Sequence, residues 1–161
     1  MLALLALPFS GASRLVAAEP PALFEMGKPF EIRLATATNL VLSVENNFCS
    51  WKPASRGMGA RFQFTRGLAD PTQTSLEVVG QTNVFLRHFF LRLRTLPMPP
   101  RRDLIFEGDA TFDVVPGLSP KTVLLRCFNF RDAYVGRSHQ DKAYAIPDPH
   151  PEDMDLLLIY K

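Results

Sequence analysis

Ala60-Arg-Phe-Gln-Phe-Thr-Arg-Gly-Leu-Ala-Asp-Pro71 can be laid over Ala110-Thr-Phe-Asp-Val-Val-Pro-Gly-Leu-Ser-Pro120, and this overlay decides how the chain is read. Phe62 falls on Phe112, Gly67 on Gly117 and Leu68 on Leu118, each pair 50 residues apart. Downstream, Ser75 to His88 overlays Leu124 to Arg137 at a shift of 49 residues. Phe30 to Val44 resembles the same unit a third time. A unit of about 40 to 50 residues cannot bury its own apolar face, so the copies must share one core. Three copies of about four short strands each predict threefold pseudo-symmetry. An antiparallel barrel capped by hairpins would meet that demand and remove the sheet edges. The expected architecture is all-β, with three lobes at about 28–66, 67–116 and 117–161.

The pattern inside the copies agrees with strands. Phe30 to Leu34 and Arg61 to Phe64 alternate apolar and polar residues with period two. Leu40 to Val44, Ser75 to Val79, Val84 to His88, Phe90 to Leu93, Thr111 to Val115, Val123 to Phe128 and Leu156 to Tyr160 continue the series, broken by turn residues. No long window carries a clean helical period. The 14 prolines and 13 phenylalanines suit half-buried strands better than helices. The length of 161 residues suits one domain, and 47% apolar residues are enough for a packed core.

A formal charge of +2 is too small to argue for a nucleic-acid partner. Arg87, Arg92, Arg94, Arg101 and Arg102 form the most basic stretch, read as a solvated strand face rather than an anion site. Leu2 to Phe9 is an apolar run of signal-peptide length, with Val16 and Ala18 as small residues before Glu19-Pro20-Pro21. No Lys or Arg precedes that run. The reading is a signal peptide at 1–18, a Pro-rich lead-in at 19–27 and a domain at 28–161, in a secreted or cell-envelope protein. Cys49 and Cys127 admit two readings: a pair in an oxidising compartment, or two buried free thiols.

Phe85-Leu-Arg-His88, Phe90-Leu-Arg-Leu93, Phe106-Glu-Gly-Asp109-Ala-Thr-Phe112 and Pro116-Gly-Leu118 occur in that order. This run resembles the signature of the arabinofuranosidase B-type (AbfB) arabinose-binding domain, a family 42 carbohydrate-binding module. The likeness is strongest over residues 61–137 and weaker from 27 to 60 and from 138 to 161. It implies a β-trefoil that binds arabinofuranose side chains of hemicellulose without catalysis, as an accessory module of an α-L-arabinofuranosidase. It further implies that a His and an Asp of one lobe hold the furanose hydroxyls. That chemistry is sound: a carboxylate accepts from two hydroxyls, imidazole donates or accepts, and an apolar wall covers the C–H face.

Carried over by position, the resemblance places His88 and Asp109 in the middle lobe, with Phe89 and Phe85 as wall candidates. In the third lobe the histidine position falls on Arg137 and the carboxylate position near Asp153 or Asp155, with His139 close by. In the first lobe the same positions fall at Ser43 or Val44 and at Gly59, so both groups are lost. The expectation is one competent pocket, one doubtful and one dead. Against it stands the purely structural reading, in which Asp109 caps a turn before its strand. Trp51 is read as half-buried rather than as a sugar platform.

No cofactor and no metal are expected. The tail from Asp148 to Asp155 carries acids and His150, but its prolines and loose spacing read as a solvated loop. No nucleophile setting and no poised carboxylate pair marks an enzyme. The expected partner is an arabinose-containing polysaccharide or oligosaccharide, beside a separate glycoside hydrolase. The alternative is a protein-binding or structural trefoil that has lost sugar binding.

Overall fold

The computed structural model describes residues 24–54 and 59–160. The signal-peptide reading, most of the lead-in and residues 55–58 lie outside them. Among the described residues, twelve strands form one sheet. They are β1 (Phe30–Leu34), β2 (Leu40–Glu45), β3 (Phe48–Pro53), β4 (Arg61–Arg66), β5 (Thr74–Val78) and β6 (Val84–Phe89), then β7 (Arg92–Pro97), β8 (Thr111–Pro116), β9 (Val123–Cys127), β10 (Ala133–Arg137), β11 (Ala143–Pro147) and β12 (Leu156–Tyr160). Two short helices interrupt them, α1 (Leu104–Asp109) and α2 (Pro151–Met154), with a 3-10 turn at His139–Asp141.

The all-β expectation holds, and the β-trefoil expectation is corrected. Ten strands close an antiparallel barrel. The circuit runs β10–β11–β7–β3–β2–β1–β4–β5–β8–β9 and back to β10. β6 bridges β5 and β7, and β12 bridges β1 and β9. Pairings such as Phe48 with Arg94 and Tyr144 with Arg92 carry the one sheet from each sequence copy into the next. A sequence repeat marks where like segments recur; it does not say which strand edges they will share.

The repeat is nonetheless visible as local geometry. Phe62 and Phe112 are both fully buried in the shared core with Phe30, Ile32, Leu42, Trp51, Leu76 and Leu86. Gly67 N donates to Gln73 O at 3.0 Å, and Gly117 N donates to Thr122 O at 3.0 Å. A Cβ at Gly67 would collide with the Asp70 carbonyl, and one at Gly117 with Thr122 Oγ1 and Asp155 Oδ1. The recurring Gly-Leu is therefore demanded by close backbone approach. Trp51, read as half-buried, lies on β3 and is fully buried, its Nε1 donating to Gly136 O at 3.3 Å. Cys49 and Cys127 are free and buried, and burial pushes both thiols up to about 12.

A pocket between the β6–β7 hairpin and helix α1

Helix α1 exists because of its cap. The Asp103 side chain accepts hydrogen bonds from the backbone N–H groups of Ile105 and Phe106, meeting donors that the first turn leaves orphaned. Six residues are too few for a periodic pattern, so the sequence carries no helical signal there. The helix delivers Asp109 as its last residue. Beyond it, Ala110 packs with Phe85 and Phe106, and Phe112 enters the main core. Thr111 Oγ1 donates to Glu107 O at 2.8 Å and accepts from Ala69 N at 3.0 Å. The Asp-Ala-Thr-Phe element thus has a physical reading: three residues anchor the strand and fix the first as the helix ends.

Strand β6 brings Arg87 and His88 to the same place. Arg87 Nη2 pairs closely with Asp109 Oδ2, and both side chains are buried. The guanidinium lies 4.8 Å from the Phe106 ring centroid and 5.3 Å from that of Phe89. Asn129 Nδ2 donates to Asp109 Oδ1 at 2.7 Å. His88 Nε2 lies 2.8 Å from Asn129 Oδ1 and 3.5 Å from Asp109 Oδ1. The carboxylate only accepts, so the amide nitrogen faces it; the amide oxygen then faces the imidazole, and Nε2 carries a hydrogen. An ionised carboxylate has about four lone-pair sites, so Asp109 keeps acceptor capacity beyond these contacts.

Above this floor opens a pocket of about 410 Å³. Phe89, Phe90, Leu91, Ile105, Phe130 and Pro147 supply its walls, with His88 and Asp109 at the base. The Phe130 ring meets the His88 ring edge-on, with centroids 5.3 Å apart. The structure therefore brings together His88, Asp109 and Phe89. Phe85 sits instead in the buried cluster beneath, with Phe106 and Ala110. Sequence reasoning missed Asn129, Phe130, Phe90 and Ile105 as lining or supporting residues, and read Arg87 as part of a solvated strand face, whereas it is buried. Asn129 and Phe130 come from the loop after β9, and no local signal linked that loop to β6.

A second pocket, of about 550 Å³, lies near the C-terminus, lined by Arg137, His139, Asp153 and neighbours including His150. Arg137 Nη2 approaches Asp153 Oδ1 at 3.5 Å. Asp155 points elsewhere: it is buried and its Oδ1 accepts from Leu118 N at 3.0 Å. At Gly59, an added Cβ would meet Val41 Cγ2 at 2.8 Å, so no larger residue fits there. Among the described residues, no cluster of three or more His, Cys, Asp or Glu is arranged to hold a metal.

The family model for the alpha-L-arabinofuranosidase B (ABFB) domain matches residues 33–150, which include the whole of this site. The chain belongs to the ABFB domain family. No curated protein matches it by sequence. Among solved structures, a GH54 α-L-arabinofuranosidase soaked with a cyclic sulfate inhibitor is similar, with a TM-score of 0.76 and 19% identity over 88% of this chain and 32% of the other. An arabinofuranosidase complexed with arabinofuranosyl-α-1,2-xylobiose gives 0.75 and 18% over the same shares. A GH43 β-1,3-galactosidase gives 0.67 and 14%, covering 88% of this chain and 29% of that one. The ABFB chain thus spans about a third of the length of these enzymes, and at such identities the likeness is one of fold.

Proposed function

We propose that the chain is a carbohydrate-binding module without catalytic activity of its own, holding arabinofuranose side chains of hemicellulose in the pocket between β6–β7 and α1. The observation that carries this reading is the convergence of His88 and Asp109, tied together by Asn129, at the floor of an apolar, open pocket in an ABFB domain. A neutral sugar offers hydroxyls that donate and accept, and C–H faces that need apolar cover. Hydrolysis of a glycoside needs a second carboxylate across the cleft. Asp109 is the sole carboxylate among the residues lining this pocket. The C-terminal pocket keeps Asp153 but presents Arg137 in the histidine position, so it contributes little. The module acts outside the cell, beside a glycoside hydrolase that supplies the chemistry.

Calorimetric titration with arabinoxylan and short arabino-oligosaccharides tests this. One weak site is expected, on the order of tens of micromolar to millimolar, since a single shallow pocket leaves little surplus after association costs. His88→Ala should abolish the heat while the circular dichroism spectrum persists. Absence of binding by the native protein, or undiminished binding by a folded His88→Ala, sinks the reading.

A further inference from the structure

Two hairpins in this molecule have the same turn and opposite chemistry. Glu45 pairs with Phe48 across the two-residue turn Asn46-Asn47, whose φ values are 51° and 67°. Phe89 pairs with Arg92 across Phe90-Leu91, with φ values of 48° and 65°. Such left-handed positions favour Asn, Asp and Gly and disfavour bulky apolar residues. The first hairpin obeys the preference and the second defies it. Leu91 recovers the cost by packing on the core. Phe90 does not: its side chain is 87% exposed and stands at the pocket mouth. Phe130 and Ile105, 51% and 72% exposed, continue the same apolar rim.

A pocket of 410 Å³ is in the size range that takes drug-sized ligands, larger than one pentose fills. Its polar groups lie on the floor and its apolar ones on the rim. We infer that the pocket's ligand is an arabinofuranosyl unit bearing an aromatic substituent, an aryl ester or aryl ether, with the sugar on the Asp109–His88 floor and the aromatic ring against Phe90 and Phe130. This rests on the sugar reading above and extends it to the substituent. Phe90 is here a specificity residue, held in a costly conformation so that a second ring can lie on it.

The test compares methyl α-L-arabinofuranoside with two aryl probes, phenyl α-L-arabinofuranoside and methyl 5-O-benzoyl-α-L-arabinofuranoside. Each is titrated against the native chain and Phe90→Asn, a substitution that suits the turn and leaves the core untouched. At least one aryl probe should bind about tenfold tighter than the methyl glycoside, and in Phe90→Asn the ratio of aryl to methyl affinity should fall to about one. Equal affinities for all three sugars would overturn the inference and leave the sugar reading standing. So would an aryl preference that survives in Phe90→Asn. Methyl benzoate serves as the aromatic alone; if it matches the aryl sugar, the joint site is refuted. Failure of every sugar to bind overturns the sugar reading itself, and this inference with it.

Discussion

The two pockets on β6–β7 and β10–β11 are made of related parts held in different environments. In the first, Arg87 and Asp109 have side chains only 8% and 9% exposed, and Asn129 ties the carboxylate to His88. In the second, Arg137 and Asp153 are 32% and 31% exposed and meet at 3.5 Å. The first hairpin turns in two residues and presents Phe90; the second loops through Ser138–Lys142 and presents His139 and Asp141. Burial is what separates a fixed hydrogen-bonding floor from a loose surface pair. Water competes for the C-terminal groups and is largely displaced from the middle ones.

Removing one partner of each pair sharpens the contrast most. Asp109→Ala leaves Arg87 buried without its counter-charge and should cost about 3–5 kcal/mol in urea unfolding, besides eliminating sugar binding. Asn129→Ala comes next: it frees one carboxylate oxygen and the imidazole hydrogen, for about 1–3 kcal/mol and roughly tenfold in affinity. Phe90→Asn should raise stability by about 1 kcal/mol, seen as a rise of about 2–4 °C in the thermal midpoint. Asp153→Ala is the smallest, within about 1 kcal/mol and fading further as salt is added. An Asp153→Ala cost equal to that of Asp109→Ala would break the comparison.

Much of the strand order was legible because its residues alternate and recur. The shifts of 49 and 50 residues survive as β5 onto β9, β6 onto β10 and β4 onto β8. β3 and β11 escaped, and β10 was reached only as the image of Val84–His88 in the overlay. Cys49 and Trp51 do alternate inward, but Pro53 and a short span hid the strand, while Gly136, Ala143 and Ala145 are too small to advertise burial. Phe90 was read as the start of a strand, since a Phe in a left-handed turn contradicts the usual chemistry there. His88 and Asp109 stood out by their motif, whereas Asn129, 41 and 20 residues away from them, had none. The antiparallel barrel follows from the need for a shared core, whereas the pairing between copies that closes it on ten strands is decided by edges, and edges leave no mark in a single copy.

Strand β1 pairs through all five of its residues with β12, from Phe30 opposite Tyr160 to Leu34 opposite Leu156. That contact spans almost the whole described chain, so its loop-closure entropy must be overcome before any of its hydrogen bonds form. On a ribosome, β1 emerges before β12 and pairs first with β2 and β4, while its other edge has no partner until β12 is made. The sheet therefore completes late and slowly, in the milliseconds-to-seconds range of non-local β topologies, with that edge of β1 open until then.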